Sequence, residues 1–275
     1  MLYPLHGQGD QDREDQCRTT REEGSIASYG EPHPPCCDQA GKDDPVRYPA
    51  GRAQVVRGAP RSPRCLLLAG PGSEFEASVF VNCPFDDAYK PMFEAIVFAV
   101  FDCVYRPRCA LEAYDAGEVR IEKIVALVRN CRLGVHDISR TELNAASLPR
   151  FNMPFELGLF LGAKRFGNAV QRRKTCLVLD REPYRYQAFL SDIAGQDIAA
   201  HGGEPTRAIG AVRDWLAAGQ RRRPSPGGAE IVRRFAEFSA ALPGTLADLR
   251  LGRDAMTFSD YANIASTWLA ARVST

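Results

Sequence analysis

The chain predicts an α/β fold: a flavodoxin-like parallel sheet with helices on both faces, a C-terminal helical segment and a disordered N-terminal tail. Three observations predict it. From about residue 76 to 220, short β-rich runs alternate with amphipathic helical runs, the pattern of successive βαβ units. Before residue 76 no periodicity of either kind can be followed. After residue 220 a polar Pro/Gly/Arg stretch separates that core from two further helical runs.

Residues 1–75 are rich in Gly, Pro, Arg, Asp and Gln. Ordering a chain costs roughly 1–2 kcal/mol per residue, and a segment with little apolar surface cannot offset that. The expectation is a disordered tail, or non-native sequence added by a misplaced translation start.

The domain proper is expected over 76–220. Val79, Phe80 and Val81 form a short β-rich run closed by Asn82-Cys83-Pro84-Phe85. Asp86 or Asp87 then caps a helix whose apolar positions Phe93, Ile96, Val97, Val100 and Phe101 recur at helical spacing. Residues 104–111 read as extended, because Arg106 precedes a proline. Residues 119–131 form an amphipathic helix with Ile121, Ile124, Val125 and Val128 on one face. A strand follows over 133–138, a helix over 152–166, a strand over 175–179, a long loop, and a helix over 205–218. Residues 221–228 are a linker, and 229–275 hold two helices with apolar stripes: Ile231, Val232, Phe235, Phe238, Leu242, then Tyr261, Ile264, Trp268, Leu269. Neither is stable alone in water, so both must pack on each other, on the core or on a partner.

Composition excludes several classes. A net charge of +1 with 25% charged residues makes no electrostatic case for nucleic acid or an acidic membrane. The longest apolar run, 92–104, contains Glu94 and Asp102 and is too short to span a bilayer. Nine cysteines without a CxxC pair, and without histidine at ligand spacing, argue against zinc and against a disulfide scaffold. They imply a reducing, cytoplasmic setting. No GxGxxG or GxxxxGK[ST] motif occurs, so neither a dinucleotide-type site nor a P-loop is supported, and no cofactor is expected.

Right-handed crossovers gather all strand C-termini on one edge, where ligands bind. That edge collects Asn82, Phe85, Arg108, Asp137, Arg140 and the loop after 180, and helix starts such as the one holding Glu156 face it too. Asp137 and Glu156 are the candidate acids. Asn152 caps the helix, Pro154 suits its first turn, and the positive helix end favours an ionised Glu156. Phe155, Leu157, Leu159, Phe160 and Leu161 suggest a helix buried on more than one side, with Gly158 and Gly162 admitting close backbone approach. The plainer alternatives stay open: Glu156 as a helix-end acid, and Asp137 as an acceptor for the turn Ile138-Ser139-Arg140. Two carboxylates around one ligand suit N-glycosidic cleavage, which passes through an oxocarbenium-like cation that a carboxylate can stabilise or trap. In the loop after 180, Arg181, Tyr184, Arg185, Tyr186 and Phe189 read equally as a stacking lid or as a self-anchored loop.

The strand ending in Asp137, a loop, then Phe155-Glu156-Leu157-Gly158 and Ala163 resembles the nucleoside 2-deoxyribosyltransferase-like hydrolases. Residues 79–85 are similar in position to their first-strand motif, and the order of elements also resembles a bacterial TIR-type domain. The resemblance covers residues 78–218. It implies a catalytic Glu156 and a nucleotide, nucleoside or NAD as substrate. The acid that deoxyribosyltransferases carry just before the glutamate is replaced here by Phe151-Asn152-Met153, which leaves Asn152 to orient the sugar. The resulting expectation is an N-glycosidase with Glu156 and Asp137 catalytic and Asn82, Phe85, Arg108, Arg140 and Asn152 lining the pocket. The alternative is a non-catalytic TIR-like module that senses a nucleotide or self-assembles as a homo-oligomer through its C-terminal helices.

Overall fold

The computed structural model of the chain describes residues 73–112, 117, 119–141, 150–219 and 225–272. The expectations for the N-terminal tail up to residue 72 and for most of the linker lie outside those residues, whereas residues 73–75, expected in the tail, open a short helix whose Phe75 carbonyl accepts the Arg132 N–H at 3.0 Å. Five strands, β1 (Ser78–Asn82), β2 (Arg106–Arg108), β3 (Leu133–Asp137), β4 (Thr175–Asp180) and β5 (Ile198–Ala200), form one sheet. Its order is β2-β1-β3-β4-β5 and every pairing is parallel. This is the flavodoxin-like order, in which the chain winds one way from β1 and then the other, opening a crevice at the carboxyl ends of β1 and β3.

The helices are α1 (Ser73–Ala77), α2 (Lys90–Asp102), α3 (Arg120–Asn130), α4 (Asn152–Phe166), α5 (Pro205–Gly219), α6 (Gly228–Asp248) and α7 (Phe258–Ala271). Strand alternation sorts the core. Val79, Val81, Leu133, Val135, Leu177 and Leu179 join α2 and α5 on one face. Phe80 joins Ile124, Leu127, Val128 and Phe160 of α3 and α4 on the other. Lys174, fully buried, donates to the carbonyls of Val128 and Cys131 at the end of α3. Its ammonium lies 4.5 Å from the centre of the Phe160 ring, which supplies a second favourable contact.

The two C-terminal helices pack on the core. Phe238, Leu242, Tyr261 and Leu269 belong to the same apolar cluster as the sheet. They cover α2, which is buried at every position from Met92 to Asp102. That burial includes two acids, and the C-terminal segment neutralises both: Arg253 reaches Glu94 at 2.6 Å and Arg234 reaches Asp102 at 2.9 Å.

Two sequence readings need correction. Only 106–108 of the expected extended run is strand, because α2 overruns into a Schellman turn. Tyr105 N–H bonds to Val100 C=O and Val104 N–H to Phe101 C=O, with Val104 at φ +66°. The loop after β4 also contains an edge strand, β5, whose Ile-Ala-Ala sequence is too short and too weakly β-forming to signal itself. Among the described residues no helix is long and apolar enough to cross a membrane.

Candidate functional site

The region at the carboxyl ends of β1 and β3 brings together Asn82, Cys83, Tyr89, Asp137, Glu156 and His201, all buried. Asn82 is buried, and its amide donates to the Met153 carbonyl at 2.9 Å. The same amide lies 3.1 Å from His136 Nδ1. It therefore ties the end of β1 to β3 and to the first turn of α4. His136 takes the opposite face from Asp137, packed edge-on to Phe80 and Phe160. Burial drives its pKa down to about 3, so it is a neutral core histidine. Gly134 makes room for it, since a Cβ there would lie 2.6 Å from His136 Nε2.

Asp137 is fully buried and fully engaged. Its Oδ1 accepts the Ser139 N–H at 2.8 Å, and its Oδ2 accepts the Tyr89 hydroxyl at 2.5 Å. His201 Nε2 sits 3.1 Å from Oδ2, poorly aligned for a hydrogen bond. Because Gly203 N–H donates to His201 Nδ1 at 2.9 Å, the neutral ring carries its proton on Nε2, facing Asp137. Of the two roles open for Asp137, the turn acceptor is the one occupied. Tyr89 and His201 escaped the sequence reading. Tyr89 resembles any aromatic at a helix start, and His201 comes from beyond β5, a strand that was not foreseen.

Glu156 contrasts with Asp137. It lies just past the first turn of α4, is only 4% exposed, and meets no hydrogen-bond donor or ion-pair partner among the described residues. Burial lifts its carboxyl to about 7, against a weaker opposing pull from Arg120 at the start of α3. Cys83 stands between the two acids. Burial, then Asp137, Cys109 and Glu156, push its thiol well above the usual range, so it is not a poised nucleophile.

The remaining candidates divide. Arg140 reaches the rim and pairs with Asp86 at 3.1 Å, and Arg150 pairs with the same carboxylate at 2.7 Å. Asp86 Oδ1 also accepts the Tyr89 N–H at 3.1 Å, which caps the turn leading into α2. Phe85 turns away from the crevice to pack edge-on against Phe93. Arg108 points to the α3 side of β2 and is held at 2.6 Å by the buried Glu112. Asn152 is exposed and caps nothing: Phe151 occupies the N-cap in helical geometry with no side-chain bond. Nor is α4 wrapped in core, because Phe155 is 57% exposed, and a Cβ on Gly158 or Gly162 would meet nothing within 4 Å. In the loop after β4, Arg185 bonds to Asp180, Thr141 and the Ile138 carbonyl, which makes it an internal anchor. Tyr184 is the exposed aromatic of that loop.

Among the described residues no group of three or more His, Cys, Asp or Glu is placed to hold a metal ion. No protein-family model matches the chain, and no curated protein matches it.

Proposed function

We propose that this domain cleaves the N-glycosidic bond of a nucleotide, nucleoside or NAD, with Glu156 as the carboxylate that meets the sugar. The observation that carries the reading is a buried carboxyl, lifted to about 7 and without a partner among the described residues, at the strand ends where a flavodoxin-like sheet binds ligands. A buried acid without a partner is costly, and such groups concentrate where chemistry needs them. As the bond from C1′ to the base nitrogen breaks, its electron pair stays with the base and positive charge grows on the sugar. That charge favours the ionised form of Glu156, which stabilises the cation or bonds to C1′. Water then delivers hydroxide to C1′, and its remaining proton goes to the base or to solvent. Asp137 acts through position, locking Tyr89 and the 138–140 turn. Asn82 does the same for the start of α4. The resemblance of Phe155-Glu156-Leu157-Gly158 to the deoxyribosyltransferase-like and TIR-type glutamate motifs supports the same assignment.

The test is a mass-spectrometric screen of NAD, ribonucleotides and deoxynucleosides incubated with the protein and with Glu156→Gln. Release of a free base by the native chain, reduced at least about a hundredfold in the variant, is expected. Equal turnover by both proteins, or none across the panel, overturns the proposal. Calorimetry showing tight nucleotide binding without product selects the sensing alternative.

A further inference from the structure

The apolar stripes of α6 and α7 are occupied by the molecule's own core, so the free apolar face lies elsewhere. It is on α4. Phe151, Phe155 and Phe166 are 65%, 57% and 86% exposed. At 3.6 residues per turn these three, with Gly158 and Gly162, fall within one arc of about 80°. Among the described residues the two glycines have open space beside them, since an added Cβ would meet none of their atoms within 4 Å.

We propose that this face pairs with the same face of a second copy of the chain, the two α4 helices crossing antiparallel about a two-fold axis. The argument is self-complementarity, which a two-fold interface requires of a single patch. Phe155 and Phe166 flank Gly158 and Gly162, and both pairs share a midpoint at Phe160 to within about half a residue. An antiparallel copy centred there sets bare glycine backbone against bare glycine backbone. Each Phe155 then meets the Phe166 of the second copy at either end. Charge selects the same orientation: α4 carries Lys164 and Arg165 in its last turn, which a parallel pair would bring together and an antiparallel pair separates.

Area sets the strength. The exposed fractions amount to about two whole phenylalanine side chains, or about 300–500 Å² of apolar surface per copy. The total falls below that of a standard stable interface, so the dimer is weak and concentration-dependent. This inference is independent of any reaction at Glu156.

Sedimentation equilibrium of the full chain over a roughly hundredfold dilution series tests it. The mass is expected to rise above 30.3 kDa with concentration. Gly158→Leu, placed where the monomer has open space, should keep or raise the melting temperature and still weaken association at least tenfold. Phe155→Ser and Phe166→Ser should weaken it similarly. A chain that stays monomeric at every concentration, or a dimer indifferent to all three substitutions, overturns the proposal.

Discussion

Glu156 is held in a place that disfavours its charge, and this has a measurable signature. Its folded carboxyl titrates near 7, against an ordinary value of 4.5, because burial penalises the anion. The folded state therefore binds its proton more firmly than the unfolded chain does. That contribution to stability is fully present below about pH 4.5 and is lost as pH rises through 7. At full ionisation the loss is on the order of 2–4 kcal/mol. Glu156→Gln should therefore melt with the native chain near pH 4.5 and several degrees above it at pH 8. A variant no more stable at pH 8 would mean that the carboxylate has a partner. Asp137, by contrast, is hydrogen-bonded on both oxygens, by the Tyr89 hydroxyl and the Ser139 amide. Sequence placed both acids at the rim, since a strand end and a helix start are visible in periodicity. It did not distinguish the acid that gains a long-range donor from the one that has no partner among the described residues, because that donor, the Tyr89 hydroxyl, lies 48 residues away in sequence.

Helix ends show the next level of control. Val104 closes α2 at φ +66°, a region that costs a β-branched residue roughly 1–2 kcal/mol and that glycine occupies freely. Val104→Gly should therefore be neutral or stabilising by up to about 1 kcal/mol in chemical denaturation, where Val→Gly elsewhere in the fold would destabilise. A clear loss of stability would show that the Val104 side chain contributes more than its backbone strain costs. In α4 the apolar pattern was legible and its meaning was not. The apolar run reads Phe155 as core, whereas in the fold it faces outward, as Phe166 does, because α3 and the sheet occupy only part of the helix circumference.

At the scale of the molecule, α6 and α7 belong to the same cooperative structure as the sheet. Removing residues 229–275 strips α2 of its apolar cover and leaves Glu94 and Asp102 without Arg253 and Arg234. Pairing and packing are therefore lost together, since the arginines that meet these two acids stand on the same segment that covers them. The truncated chain should be insoluble, or lack a cooperative thermal transition by circular dichroism. A truncated chain that melts cooperatively near the native temperature would show that these helices are an appendage. The linker composition around 221–228 invites that second view, and only the packing excludes it.

The linear sequence by itself determined the kind of fold and the order of its elements apart from the edge strand β5, because periodicity, turn residues and strand–helix alternation are local properties. It also determined which edge of the sheet carries the candidate chemistry, because handed crossovers leave no other choice. Tertiary structure alone decided which acid is neutralised, which arginines are already spoken for, and which apolar face is left uncovered. Those outcomes depend on groups meeting across long separations, such as His201 with Asp137 and Arg253 with Glu94, and no window of sequence contains both partners.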